Sequence, residues 1–82
     1  MYPILKIISK GDYYYALCPS HPNATKNGYV LLHRVLEEYK LGRLLRPNED
    51  VHHINGDKKD NRPENRQVIP HAEHAKLHRR NK

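Results

Sequence analysis

The chain has 82 residues and one cysteine, Cys18, so it forms one small domain that no internal disulfide stabilises. We find no transmembrane span or secretory signal, and we expect a cytoplasmic protein. A bound metal is the simplest additional source of stability, and the formal net charge of +6 suits a polyanion, most simply DNA or RNA.

The first half of the sequence predicts a β-hairpin followed by a helix. Residues 2–8 and 13–18 are rich in β-forming side chains, and a Lys-Gly-Asp turn separates them. In residues 28–41, apolar side chains recur at spacings of three and four, which is typical of a helix with one buried face. That face is expected to hold Leu32, Val35, Leu36 and Tyr39. Gly42 is expected to follow the end of this helix.

The second half predicts two strands and a last helix. Residues 50–54 and 67–69 are the two strands, and the Asn-Gly pair after the first strand is a hairpin-type turn signal. Residues 63–65 are expected to form one helical turn with proline at its first position. The last helix is expected to begin at Pro70 and to end near Arg80.

The predicted order of elements is β-β-α-β-β-α, which describes a small α+β fold. We interpret residues 1–82 as a single domain with two parts. Residues 1–47 supply an N-terminal hairpin and helix, and residues 48–82 supply a second hairpin with the C-terminal helix packed against it.

Five of the seven histidines follow residue 51, and their spacing indicates a metal-dependent phosphodiesterase site. On a helix, His74 and His78 lie on one face and are close enough to share a metal ion. On a strand, His52 and His53 point to opposite sides. One of this pair therefore joins the metal while the other serves as the base. Asn65 is well placed in the sequence to orient that base.

Several segments of the chain resemble one known family. Residues 51–57 read VHHINGD, residues 60–65 read DNRPEN, and His74 and His78 follow. Together with the upstream helix, these segments resemble the HNH endonucleases of the ββα-metal (His-Me finger) superfamily, in particular small phage-type members. The resemblance covers roughly residues 18–78. It implies a ββα-metal motif in the second half of the chain, one divalent ion, and nicking or cleavage of DNA.

The resemblance also implies a role for each site residue. His52 resembles a metal ligand, and His53 resembles the general base. His74 and His78 resemble the metal ligands of the family helix. Asn65 is similar to the family asparagine, which braces the loop and the base and in some members reaches the metal.

Three further residues near these motifs have alternative interpretations. Arg34 is predicted to approach the scissile phosphate or the DNA backbone, and the alternative is a solvated surface position. His33, beside the buried face of the helix, is expected to be structural. His71 is expected to lie near the start of the last helix or to face DNA rather than to bind metal.

Two positions depart from the family pattern. Arg66 stands where the family usually has a core leucine, so we expect Arg66→Leu to raise the melting temperature unless the guanidinium has a partner such as the DNA backbone or an acidic side chain. Many members carry cysteine pairs that form a structural zinc site, which this chain cannot build with Cys18 alone. With His21, Cys18 makes half a zinc motif at best, and an ordinary loop is expected.

The leading hypothesis is a metal-dependent DNA endonuclease that acts on double-stranded DNA with one divalent ion, which is Mg, Mn, Zn, Ni or Co. A second hypothesis is a non-catalytic nucleic-acid-binding module in which the histidines hold zinc for folding only. A third is an RNase of the same fold. His53 separates the first two, because a purely structural metal site needs no additional imidazole beside the ligands.

Overall fold

A computed structural model describes residues 2–74 of the chain. Its elements in chain order are β1 (Lys6–Lys10), β2 (Tyr13–Leu17), β3 (Tyr29–Leu31), α1 (Leu32–Leu41), β4 (Glu49–His53), a 3-10 turn (Pro63–Asn65) and β5 (Arg66–Pro70). Residues 71–74 are helical. The predicted α+β class is confirmed, and the second half of the chain is compatible with the ββα-metal motif.

The first sheet has the order β1-β2-β3, and both pairs of strands are antiparallel. The predicted N-terminal hairpin is confirmed, and Gly11 in its turn has a φ of 61°. The first strand is shorter than expected because it begins at Lys6 instead of residue 2. The preceding Tyr2 and Ile4 pack instead against the core of buried side chains.

The third strand was not predicted, because residues 28–41 were interpreted as one helix. Tyr29–Leu31 pairs with β2 through Ala16 and Val30 at its centre, and the helix begins only at Leu32. Gly28 precedes the strand with a φ of 87°, which L side chains rarely adopt and which a continuous helix does not allow. The pairing with β2 is a tertiary contact, so the spacing of apolar residues does not reveal it.

Helix α1 contacts both sheets and is buried on more than one side. Its end is as predicted, because Gly42 has a φ of 72° and its backbone N–H donates to the carbonyl of Glu38. The expected buried face is only partly correct. Tyr39 is 42% exposed, whereas Glu37 and Glu38 are buried. Glu37 is enclosed where α1 meets Arg66 of the second sheet, and Glu38 is enclosed by His21 and the backbone N–H of Leu45.

The core lies between α1 and the first sheet. It consists of Ala16, Cys18, Val30, Leu32 and Val35. Leu45, Val51 and Ile69 are also buried, and the last two belong to the second sheet. The core therefore holds α1 against β2 and β3, while the opposite part of the helix contacts β4 and β5.

The second sheet is the antiparallel pair β4 and β5, in which Glu49 lies opposite Pro70 and His53 lies opposite Arg66. The Asn-Gly pair does not make a two-residue hairpin, because residues 54–65 form a longer connection between the strands. Pro70 ends β5 instead of starting the last helix. Within residues 2–74, no helix is long and apolar enough to cross a membrane.

Candidate active site

A cleft of about 300 Å³ lies where β4, α1 and the N-terminal hairpin meet. Four residues that the sequence singled out line it, namely Arg34, His52, His53 and His74. Asn65 is buried beside the connection between β4 and β5 and is not part of the lining. His78 lies outside the described residues. The fold therefore brings a strand histidine pair, a helical histidine and an arginine to one place.

His52 and His74 are neighbours in this cleft. Their ring centroids are 5.4 Å apart, and the ring planes are inclined at 64°. His52 comes from β4 and His74 from the helical residues that follow β5. Two of the three predicted metal ligands therefore converge from the two elements that the sequence assigned to them.

Asp50 holds His74 and also contacts His71. Asp50 Oδ2 accepts hydrogen bonds from His71 Nδ1 at 2.7 Å and from His74 Nδ1 at 3.0 Å. Burial alone would raise the pKa of Asp50, but the two histidine hydrogen bonds outweigh it and hold the pKa below its usual value. Asp50 therefore remains a carboxylate that fixes the orientation of the His74 ring.

Asp50 was not predicted as a site residue, although the sequence carries a signal for it. Asp50 and His52 are two residues apart on one strand, so their side chains lie on the same face of the sheet. A carboxylate beside a histidine ligand is the usual partner that fixes the tautomer of the ring. Because Asp50 occupies Nδ1, a metal would bind His74 through Nε2.

The cluster consists of two imidazoles, His52 and His74, and the Asp50 carboxylate that orients His74. Within residues 2–74, no group of three His, Cys, Asp or Glu side chains is arranged to hold a metal ion. His52 and His74 could offer a metal two imidazole nitrogens, and the third predicted ligand, His78, lies outside this range. The donor set matches ions that accept imidazole, such as zinc, nickel and cobalt.

His53 lies on the other face of β4 and is buried, with 6% of its surface exposed. Its Nε2 is 2.7 Å from Oδ1 of Asn61. An amide oxygen only accepts hydrogen bonds, so Nε2–H is the donor and Nδ1 is the unprotonated nitrogen of the neutral ring. The structure thus places an imidazole of defined tautomer in the cleft that contains His52 and His74.

Asn65 braces the connection between the strands. Its Oδ1 accepts the backbone N–H of Asn55 at 3.0 Å, and its Nδ2 donates to Asn55 Oδ1 at 2.9 Å and to the carbonyl of Asp60 at 2.8 Å. The direct side-chain hydrogen bond of His53 Nε2–H is donated to Asn61 Oδ1 and not to the predicted Asn65. Asn61 is missed from sequence because the fold of the connection decides which asparagine meets the ring.

His33 supports the ring of His53 from the side of α1. The two ring centroids are 4.8 Å apart in an edge-to-face arrangement. Burial lowers the pKa of His33 to about 4, with further lowering from His53, Arg34 and Arg66 and an opposing contribution from Asp50. His33 is therefore neutral near pH 7, and its structural interpretation from sequence agrees with these contacts.

Arg34 lines the cleft and is held at its edge. Its Nη1 donates to the backbone carbonyl of Glu49 at 3.0 Å, which ties α1 to the start of β4. The guanidinium thus has a fixed position at the rim instead of a fully solvated one. A planar guanidinium with five N–H donors suits an anionic phosphate.

Cys18 and His21 have hydrogen-bond partners within the protein. The Cys18 thiol contacts the carbonyl of Tyr2 at 3.6 Å. His21 Nε2 is 2.6 Å from Glu38 Oε1, and His21 Nδ1 accepts the backbone N–H of Asn23 at 3.0 Å. Burial raises the pKa of the thiol, and Glu38 raises it further, which disfavours the thiolate that binds zinc. These contacts agree with the expectation that Cys18 and His21 belong to an ordinary loop and not to a zinc site.

Comparison with known proteins identifies the family. The profile of the HNH endonucleases matches residues 30–76, which is more than half of the chain. The chain belongs to the HNH endonuclease family. HNH endonucleases act on nucleic acid and typically use a divalent metal, and the matched part of this one includes α1, β4, β5 and the four predicted residues of the cleft. No curated protein and no solved structure matches the chain.

Proposed function

We propose that this HNH protein is a metal-dependent endonuclease that hydrolyses DNA phosphodiester bonds. One observation carries the proposal. His53, with its tautomer fixed by Asn61, lies in the same cleft as the His52 and His74 pair. An imidazole base beside two imidazole ligands is the arrangement that metal-assisted hydrolysis needs.

The metal site in this proposal consists of His52 and His74, with His78 as the third ligand. Asp50 keeps the His74 ring oriented through Nδ1. When bound, a divalent ion would neutralise charge on the phosphate and on the leaving oxygen. Three imidazoles favour zinc, nickel or cobalt, and magnesium or manganese remain candidates because the cell supplies them.

His53 acts as the general base in this proposal. Its Nδ1 takes a proton from the attacking water, while Nε2–H stays bonded to Asn61 Oδ1. Protonation makes the imidazolium a stronger donor to the same oxygen, so the hydrogen bond to Asn61 strengthens as the reaction proceeds. The neutral His33 packs against the ring and adds no competing positive charge there near pH 7.

Arg34 supplies positive charge at the rim of the cleft for the scissile phosphate or its neighbour. The net charge of +6 gives the protein a general attraction for nucleic acid. Double-stranded DNA is the proposed substrate. The same hydrolytic chemistry applies to an RNA backbone, so RNA is included in the test.

The test is cleavage of supercoiled plasmid DNA by the purified protein with each of the five candidate ions, with a chelator control and a single-stranded RNA in parallel. His53→Ala is expected to lower the rate by a factor on the order of 10² to 10⁴ while metal affinity is retained. His52→Ala is expected to lower both the cleavage rate and the affinity for metal. His71→Ala is a matched control, because His71 contacts Asp50 but does not line the cleft.

Three outcomes would contradict the proposal in different ways. If the protein binds DNA but does not cleave it with any of the ions, it is the non-catalytic nucleic-acid-binding module in which the histidines hold zinc for folding only. Cleavage of RNA with intact plasmid indicates an RNase. Equal loss of metal affinity in the His53 and His52 variants makes His53 a ligand and reverses the assignment of the pair.

A further inference from the structure

A continuous series of side-chain contacts joins the proposed base to a lysine at the mouth of the cleft. His53 contacts the His33 ring, and the Tyr13 ring lies 5.8 Å from that of His33. Lys58 Nζ then lies 5.2 Å from the centroid of the Tyr13 ring, which is within the range of a cation–π contact. The N-terminal hairpin therefore reaches the active site through Tyr13 and sets the position of Lys58 relative to His53.

Two adjacent lysines of the connection between β4 and β5 make different contacts. Lys59 Nζ donates to Ser9 Oγ at 2.7 Å and lies 5.2 Å from the Tyr14 ring centroid. Lys58 lines the catalytic cleft, and Lys59 does not. Tyr13 and Tyr14 are neighbours on β2 and face opposite sides of the strand, so each lysine lies over a different ring. Both lysines also line a second cavity beside Asp12 and Asp57. Lys59 connects residues 54–65 to the N-terminal hairpin, and Lys58 lines the cleft.

The backbone around Lys58 is fixed by hydrogen bonds on both sides. Asn55 Oδ1 accepts the N–H of Asp57 at 2.8 Å, and Asp57 Oδ1 accepts the N–H of Lys59 at 3.0 Å. Asn65 holds Asn55 in turn. A charge on a loop held in this way loses less conformational entropy when it binds a ligand.

We propose that Lys58 binds a phosphate of the DNA backbone beside the scissile bond, and that Tyr13 holds it at the mouth of the cleft. The proposal rests on the proposed nuclease function. The Lys58 ammonium is a compact charge that phosphate binds well, and its position over the Tyr13 ring places it at the cleft. Tyr13 contacts His33 and Lys58, so it supports the lysine and is not a platform for a base. The hairpin lies outside the part of the chain that matches the family.

The experiment measures binding of the full chain with its metal to a short DNA duplex over a range of salt concentrations. All variants carry His53→Gln, so the duplex stays intact and comparisons are made within one background. Lys58→Ala is expected to reduce the slope of log K against log salt by about 0.9, the value for one phosphate contact. Lys58→Arg keeps the charge and is expected to keep the slope.

Lys59→Ala is the matched control and is expected to leave the slope unchanged, because its ammonium is used within the protein. Tyr13→Phe keeps the ring and the affinity, whereas Tyr13→Leu is expected to weaken binding. Lys58→Gln keeps most of the stem and serves as a second variant if Lys58→Ala does not fold by circular dichroism.

An unchanged slope in Lys58→Ala, or an equal reduction in Lys59→Ala, would overturn the proposal for Lys58. These results are independent of plasmid cleavage by the otherwise unmodified protein. If Lys58 contributes to duplex binding but the protein cleaves no nucleic acid with any of the ions, only the nuclease function is contradicted. If the protein cleaves plasmid DNA but the salt dependence of duplex binding is the same with and without Lys58, only the proposal for Lys58 is contradicted. Absence of any duplex binding overturns both.

Discussion

Arg66 of β5 and Glu37 of α1 face each other inside the protein. Arg66 Nη1 lies 3.6 Å from Glu37 Oε1, and each side chain is 4% exposed. Within the described residues, Arg66 Nε and Nη1 and Glu37 Oε1 are buried without a hydrogen-bond partner. The pair is therefore an ion pair of imperfect geometry that joins the helix to the strand opposite His53. The resemblance led us to expect a core leucine at this position, and Arg66 instead places a charge there that Glu37 of α1 compensates.

We predict that Arg66→Leu lowers the melting temperature, which reverses the expectation from sequence alone. The substitution removes Arg66 from the buried Glu37 carboxylate. Lys40 is half exposed, with its Nζ 4.0 Å from Glu37 Oε2, and compensates the charge only weakly, so we expect a cost of about 3–5 kcal/mol. The paired variant Arg66→Leu with Glu37→Leu is expected to be as stable as the wild type or more stable by about 1–4 kcal/mol. Thermal unfolding of the single and paired variants checks this. A single variant that melts above the wild type would show that the ion pair is dispensable.

The sequence predicted local structure well and tertiary partners poorly. The N-terminal hairpin, the end of α1 at Gly42 and the 3-10 turn follow from turn and capping residues, which act over a few positions. The strand Tyr29–Leu31 could not be predicted, because its hydrogen bonds are made with β2. Glu37 could not be recognised as buried, because only the contact with the second sheet encloses it.

The same distinction applies to the candidate site. His52, His53, His74 and Arg34 were predicted because their spacing and the family motif mark them, and all four line one cleft. Asn61, Asp50 and Lys58 were not assigned roles, because a side chain that orients another is defined by proximity in space. Of these, Asp50 alone carried a local signal, since it alternates with His52 along β4.

We predict that Asn61→Ala and Asn65→Ala separate activity from stability. Asn61 gives His53 its Nε2–H acceptor, so its loss is expected to lower the cleavage rate strongly and to lower the melting temperature less than Asn65→Ala does. Asn65 is buried and makes three side-chain hydrogen bonds, so its loss is expected to cost about 2–4 kcal/mol at roughly 1 kcal/mol per bond. Cleavage assays and thermal unfolding of both variants give the comparison. Equal destabilisation by the two substitutions would argue against separate roles.

We predict that Asp50→Ala weakens metal binding by about 10- to 100-fold, as is typical when an outer partner of a histidine ligand is removed. The carboxylate orients His74 through Nδ1, and without it the ring samples both tautomers and other orientations. Calorimetric titration with zinc, and the tautomer of His74 by ¹⁵N NMR, measure the two effects. His71→Ala is the control, because it removes the other partner of Asp50 while keeping the bond to His74. If affinity for zinc is equal in wild type and Asp50→Ala, Asp50 does not support a ligand.

We predict that His33 makes the stability of the protein depend on pH between about 4 and 6.5. Its pKa is about 4 in the folded protein and near its ordinary value of 6.5 in the unfolded chain. The unfolded state therefore binds more protons in this interval, so the contribution is fully present above the unfolded pKa and is lost as the pH falls to about 4. The loss is on the order of 3 kcal/mol. His33→Phe keeps an aromatic ring beside His53 and cannot titrate, so its stability is expected to fall less over the same interval. Urea unfolding of both proteins across this interval measures the difference, and parallel profiles would mean that other groups cause the pH dependence.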